Sequence, residues 1–297
     1  MMHIKHAQIE YRKHLRDSGK SAHTIRSYER NLNYLIDFLL ELKKEHVHLV
    51  TKEDLEKFIE RIVGKQSAKS INSRAVALKS FFKFLEVNEY ITQNPAAALK
   101  YLKEEESKPR ILSIVEYRAL RDAAKNDPRY SAIIELMLQT GIKIGEVSRI
   151  RLEDIKLENG GKLSIRDEDN KISRIVPLNS PARKAVELYL EKRPGVNPVR
   201  DLSLSGVKND ILFVTKNGKA IDPRNIRLAV SKYYKKAGIV NARVHDLRHT
   251  FCAHHIKKGT SLVAIAYMAG HKNLNTTKKY LEFLEKPSAE DLEKNAL

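Results

Sequence analysis

The strongest constraint on this chain is a helical rhythm of apolar residues that runs through its first hundred residues and stops at Asn94-Pro95. Proline disfavours a helical conformation in the residue before it, so the rhythm cannot continue past that point. The stretch that follows, Tyr101 to Arg110 (YLKEEESKPR), is charged, poor in apolar side chains and contains Pro109. Such composition reads as a linker. The expected organisation is a helical domain over residues 1–100, a linker over 101–112 and a second domain over 113–297.

Within the first domain, Ile25, Tyr28, Leu32, Leu35, Ile36, Leu39 and Leu40 share one stripe of a helix beginning near Ser21. An earlier helix carries Ile9 and Leu15, with Gly19 and Ser21 as the break. A third opens at Thr51, capped with Asp54, and buries Leu55, Phe58, Ile59 and Ile62. A fourth carries Ile71, Val76, Leu78, Phe81, Phe82 and Leu85. Four such helices make a small bundle. Its polar faces hold Lys20, Arg26, Lys65, Lys69, Arg74 and Lys79, which suit a phosphate backbone or an ordinary solvated face.

The second domain reads as helical with a small sheet. Ser113 and Glu116 form a capping box ahead of Tyr117 and Leu120. Lys162 to Ile165 and Ile172 to Val176 are β-prone runs around Asp167–Asn170 and predict a hairpin, with a further strand at Ile211 to Val214. Asp222-Pro223 starts a helix that Gly238 closes. Another helix spans about His245 to Lys258 and stops at Gly259.

Charge narrows the partners. Lysine and arginine outnumber acidic residues 55 to 37, a net of +18, and a basic protein gains salt-dependent affinity for nucleic acid by displacing counterions. The basic residues are spread along the chain rather than gathered on one amphipathic helix, which argues against a membrane surface. No apolar run is long enough to span a bilayer, and the polar N-terminal stretch reads as no secretory signal. One cysteine, Cys252, leaves no intramolecular disulfide and no cysteine-rich metal site. The expected setting is cytoplasmic and nucleoid-associated.

Two segments carry chemistry. In VHDLRHTF, Val244 to Phe251, His245 and Arg248 lie three apart and share a face at a helix start, where free N–H groups already attract phosphate. A guanidinium that grips two phosphate oxygens completes an anion site. His249, one position on, is expected to point elsewhere. In MAGHKNLNTTKKYLEFL, Met268 to Leu284, Gly270 ends a helix and releases His271 into a turn, and Thr276 can cap a short helix carrying Tyr280. A tyrosine hydroxyl is a poor nucleophile unless cations or a base assist it. Taken singly, Tyr280 reads as a half-buried packing residue.

In combination, TGIKIGEVSRI (Thr140 to Ile150), RIVPL (Arg174 to Leu178), HDLRHTF (His245 to Phe251) and AGHKNLNTTKKY (Ala269 to Tyr280) resemble, in that order, the tyrosine recombinase (phage integrase) family, particularly its Xer-type members. The helical first domain resembles the family's core-binding domain. The resemblance implies a site-specific DNA recombinase that cleaves and rejoins strands through a 3′-phosphotyrosyl bond on Tyr280. His245, Arg248 and His271 would hold and neutralise the phosphate. No metal or nucleotide is implied, because the phosphotyrosyl ester stores the bond energy. The implied partner is double-stranded DNA at a specific site, gripped by the two domains as a clamp. Four protomers would assemble on two sites, with the segment after Lys286 docking on a neighbour.

The chain departs from the family's pattern twice. Lys143 stands where the pattern has arginine, keeping the charge but losing the planar fork. The position that carries the hairpin lysine falls at or near Asp169, so Lys171 becomes the nearest candidate to protonate the leaving 5′-oxygen. Glu146 matches the family's acidic residue and is expected to orient His245 or a neighbouring basic group. Two other readings stay open at this point: a type IB topoisomerase-like relaxation activity, and a weakly catalytic recombinase-derived DNA-binding protein.

Overall fold

The computed structural model describes residues 1–104, 108–194 and 210–284. The chain forms two compact units, Met1–Ser107 and Lys108–Leu297. The segment after Lys286, expected to dock on a neighbour, lies outside the described residues.

Four helices build the first unit: α1 (Ile4–Asp17), α2 (Ala22–Glu41), α3 (Lys52–Ile62) and α4 (Ala68–Val87). Side-chain caps set all four starts, with His3 accepting from the Lys5 N–H ahead of α1. Ser21 accepts from the Thr24 N–H, Ser67 accepts from the Ser70 N–H, and Thr51 and Asp54 close a reciprocal box. Leu32, Leu35, Leu39, Leu55, Leu78, Phe81, Phe82 and Leu85 are buried together. Two expected core residues face solvent instead. In α1 the buried stripe is Ile4, Ala7, Tyr11 and Leu15, which places Ile9 on the opposite side. In α4 the small side chains Ala75 and Ala77 turn inward, and Val76 between them turns out. Tyr101–Glu104 lies along α4, where Asn72 exchanges hydrogen bonds with the Leu102 backbone at 2.8 Å in both directions.

The second unit comprises α5 (Ile114–Ala124), α6 (Pro128–Thr140), α7 (Ile144–Val147), β1 (Ile155–Lys156), β2 (Lys162–Arg166), β3 (Ile172–Pro177), α8 (Ser180–Leu190), α9 (Pro223–Lys236), α10 (Val244–Lys257), α11 (Leu262–Ala269) and α12 (Asn275–Lys278). The three strands form one antiparallel sheet in the order β1-β2-β3, with Leu163 opposite Val176 and Ile165 opposite Arg174. The hairpin is where the β-prone runs put it. The strand expected at Ile211 to Val214 is reduced to isolated bridges, Arg151 with Ile211 and Val214 with Ala220, and β1 is the third strand. Arg193 supplies side-chain partners there, donating to the Leu212 and Ile211 carbonyls, so this segment meets its hydrogen-bonding needs without a full ladder.

Helix α6 runs through the core with Ile133, Ile134, Leu136 and Met137 buried. It ends at Gly141, whose φ of 65° is left-handed and where an added Cβ would run into the Phe251 ring, so a larger residue fits there neither in conformation nor in space. Beneath the C-terminal helices, Phe251, Cys252, Ile256, Ile265, Ala269 and Tyr280 form a separate apolar cluster. Among the described residues no helix is long and apolar enough to cross a membrane.

Candidate active site

Four segments of the second unit converge on one cavity. The turn before α7 brings Lys143, α10 brings His245, Arg248 and His249, the turn after α11 brings Gly270 and His271, and the end of α12 leads into Tyr280. Lys272 and Lys279 complete its basic lining, and among the described residues no carboxylate lines it. A cavity whose charged and titratable walls are mostly cationic or imidazole groups is suited to an anion.

Arg248 is only 2% exposed. Its guanidinium donates to the Gly141 carbonyl at 2.6 Å and to the Ala269 carbonyl, which fixes it between the end of α6 and the end of α11. Burial lowers its pKa. Lys143 donates from Nζ to the Gly270 carbonyl at 3.1 Å. Its pKa is also depressed, first by desolvation, while Glu146 opposes the shift and Arg248, Arg174 and Lys272 add to it. His245 stands open to solvent at the start of α10, its pKa lowered by desolvation and by Arg248.

Gly270 adopts a left-handed conformation with φ of 66°, ending α11 and turning His271 into the cavity. A Cβ at this glycine would lie 2.6 Å from the Arg174 guanidinium carbon. His271 shares a 2.7 Å hydrogen bond with the Thr277 hydroxyl through Nδ1, and its ring stacks parallel to Tyr280 at 6.4 Å. Burial and the surrounding cations pull its pKa down to about 4. Tyr280 is 1% exposed and its phenol is pushed well above its ordinary value, mainly by burial.

Three expectations for the site need correction. His249 does not point elsewhere: its Nδ1 lies 2.6 Å from the Tyr280 hydroxyl, because position i+4 on α10 returns it to the His245 face. Tyr280 is not within a helix capped by Thr276; α12 is a single turn headed by Leu274, and Tyr280 follows it as the N-cap of the 3₁₀ turn Leu281–Phe283. Arg74 is not on the basic surface of the bundle. It is 7% exposed and its guanidinium lies 4.1 Å over the Tyr34 ring, which takes it off the solvated face.

The remaining residues fall as follows. Glu146 turns away from His245 and grips Arg174 with both oxygens, at 2.9 and 2.8 Å, while accepting from the Lys143 backbone N–H at 2.8 Å. Arg174 sits on the inward face of β3 and donates to the Met268 carbonyl, so the pair ties the sheet to the end of α11. Lys171 is exposed in the hairpin turn, where its backbone exchanges hydrogen bonds with Asp167; it does not line the cavity. Lys20, Arg26 and Lys69 are exposed on the first unit, and Lys79 lies 4.6 Å over the Tyr101 ring. Two other tyrosines are engaged elsewhere: the Tyr267 hydroxyl accepts from the Ile175 N–H, and the Tyr233 hydroxyl donates to Asp127.

The missed residues are His249 and Arg174. For His249 the signal was present, since it follows His245 by one helical turn. Arg174 had no signal of its own, because alternation along a strand does not reveal a buried ion pair.

A family model for the phage integrase family matches residues 100–286, and one for the phage integrase N-terminal SAM-like domain matches residues 9–89. The chain belongs to the phage integrase family of tyrosine recombinases. The Natranaerobius thermophilus tyrosine recombinase XerC is 33% identical to this family member over 271 residues, covering 89% of each chain. The Staphylococcus carnosus tyrosine recombinase XerC is 31% identical over 268 residues, 88% of this chain and 86% of the relative. In fold it is similar to the Tn1549 transposon integrase in complex with circular intermediate DNA, with a TM-score of 0.74 at 20% identity over 99% of both chains. It is also similar to the XerH site-specific recombinase bound to palindromic difH substrate, with a TM-score of 0.72 at 21% identity over 91% of this chain and 78% of that one.

Proposed function

We propose that this recombinase cleaves and rejoins DNA at a specific site by attack of the Tyr280 hydroxyl on a phosphodiester, forming a 3′-phosphotyrosyl bond and releasing a 5′-hydroxyl. One observation carries the assignment: Tyr280 lines a cavity together with Lys143, His245, Arg248 and His271, cationic or imidazole groups drawn from three separate segments. Attack places added negative charge on the phosphate oxygens. Donors already fixed in position stabilise that charge without reorganising, which is usually the largest catalytic contribution. Arg248 is the most firmly held of them. Lys143 takes the place of a second guanidinium with a single ammonium. Glu146 and Arg174 are positioning residues that hold the turns bearing Lys143 and His271. The exposed Lys171 stands apart from this group and is given no role in protonating the 5′-oxygen.

Lys20, Arg26, Lys69 and Lys79 are the proposed contacts of the first unit with the DNA backbone, and the two units are proposed to grip the duplex together. The working assembly is proposed to be a homotetramer on two DNA sites. The test is a nicked duplex carrying a site selected from bound fragments, which traps the covalent intermediate. Tyr280→Phe should bind this DNA with unchanged affinity and form no adduct, and mass spectrometry of the wild-type adduct should place the DNA on Tyr280. An adduct on Tyr267 or Tyr233 contradicts the assignment. Adduct formation on any duplex regardless of sequence would mark a topoisomerase-like activity instead.

A further inference from the structure

We infer that His249 is a catalytic residue of this reaction, the base that takes the phenolic proton from Tyr280 through Nδ1. The inference deepens the reading above and rests on Tyr280 being the nucleophile. Its geometric basis is direct, since Nδ1 lies 2.6 Å from the reacting oxygen. With the ring proton on Nε2, Nδ1 presents its lone pair to the phenol O–H. The ring is held in this place by α10, with His245 packed edge-on to it at 5.3 Å.

Of the other groups around the phenol, His245 lines the same cavity, but the phenol's hydrogen bond goes to His249, and the rest are poor acceptors. His271 Nδ1 is engaged by the Thr277 hydroxyl, and its ring is stacked parallel to Tyr280. Arg248 and Lys279 are cations; the first bonds backbone carbonyls and the second lies 5.2 Å over the ring face. The Cys252 thiol also lies within hydrogen-bonding reach of the phenol, but burial raises its pKa and keeps it protonated, so it takes no proton.

The charges facing His249 explain why it is ready. Lys279, His245, Arg248 and His271 surround it, with neutral Tyr280 and Cys252 alongside; burial first, then these cations, pull its pKa down to about 4. The imidazole is therefore unprotonated at neutral pH. An arriving phosphodiester places a negative charge in the same cavity, offsets that field and raises the proton affinity of the ring. The base strengthens when the phenol has a phosphorus atom to attack.

The step balances. The Tyr280 O–H bond breaks and the proton moves to His249 Nδ1. The phenolic oxygen forms a bond to phosphorus, the bond from phosphorus to the 5′-oxygen breaks, and the 5′-oxygen takes a proton from a water molecule. The hydroxide left behind is neutralised through solvent by the imidazolium proton. Religation runs the same steps in reverse.

His249→Asn is the decisive variant, because an amide places a polar atom near the Nδ1 position but cannot take up a proton. In the full-length protein on the nicked duplex, it should keep DNA affinity and lower the single-turnover rate of adduct formation by about 100-fold or more, the usual contribution of a general base. The wild-type rate should rise with pH to a plateau, and the plateau should vanish in His249→Asn. Replacing Tyr280 with a fluorinated, more acidic tyrosine should restore most of the loss, which a purely structural role would not allow. His249→Gln serves the same comparison if the asparagine variant melts at a lower temperature. Variants as fast as wild type, or a fluorinated phenol that narrows no gap, would overturn the inference while leaving Tyr280 as nucleophile. A wild-type protein that forms no adduct would overturn both.

Discussion

Tyr11 in the helical bundle and Tyr280 in the second unit are both 1% exposed, and burial raises the pKa of both phenols. Their surroundings differ completely. Tyr11 packs against Phe81 and Phe84, with centroids at 5.3 Å, and donates to the Ser80 hydroxyl at 2.7 Å. That hydroxyl is satisfied by a group that neither accepts a proton nor carries charge. Tyr280 packs against a small apolar cluster on one side and meets His249, His271, Arg248 and Lys279 on the other. Burial alone therefore does not separate a packing tyrosine from the proposed nucleophile. What the hydroxyl faces does, because a phenol reacts only where its proton has a destination and the developing charge has partners.

The same contrast applies to buried charge. The bundle accommodates Arg74 by laying it on a ring, whereas the second unit buries Arg174 against a carboxylate. Glu146→Ala should be the most damaging test of that difference, since it leaves Arg174 buried without its counter-ion; breaking such a pair costs about 3–5 kcal/mol. Glu146→Gln, which keeps an acceptor, should lose less. Urea unfolding measures both, and an unchanged midpoint for the alanine variant would show that the basin needs no internal carboxylate.

Lys143 offers the next largest effect. In the proposed reaction its single ammonium, partly occupied by the Gly270 carbonyl, would stand where a guanidinium fork could make two bonds to phosphate. Lys143→Arg should accelerate adduct formation by about 30- to 150-fold, the equivalent of about 2–3 kcal/mol. Lys143→Ala should slow it, with little change in DNA affinity in either variant. A slower arginine variant would show that the pocket has adapted to lysine.

Acid should separate the two units more gently. The pKa values of His249 and His271 are depressed to about 4 in the folded protein, below the unfolded value near 6.5. The unfolded chain therefore binds more protons between these values, so stability is full above about pH 6.5 and declines as the pH falls toward 4. Both rings keep some contact with water, which limits the size of the loss. Melting curves across this range should show it, and His271→Asn, which preserves an acceptor for Thr277, should flatten the slope. The smallest effect is expected at Tyr11→Phe, about 1 kcal/mol for one hydrogen bond, with adduct formation untouched. A loss of cleavage there would erase the contrast between the two tyrosines.

Local signals in the chain were sufficient for the bundle. The caps at Ser21 and Thr51 and the apolar stripe of α2 are short-range features, and they formed as their residues dictate. Ile9 and Val76 went astray because one apolar residue does not define the phase of a helix, and small residues such as Ala7, Ala75 and Ala77 fill the close-packed positions instead. In the site, the spacing of His245 and Arg248 and the order of Gly270, His271 and Tyr280 were legible because each lies within one local element.

By itself, then, the sequence determined the helical bundle, the hairpin of β2 and β3, the basic character of the whole and the spacing of His245, Arg248, Gly270, His271 and Tyr280. Only the tertiary structure decided that Arg74 is buried, that Glu146 serves Arg174 rather than His245, that Lys171 stands outside the cavity and that His249 holds the phenol. The reason is range. Caps, turns and periodicity act over a few residues along the chain, where spacing fixes geometry. The partner of a buried charge or hydroxyl is chosen by which distant segments pack together, and among His249 and Tyr280, Glu146 and Arg174, or Lys143 and Gly270, that choice spans 31, 28 and 127 positions.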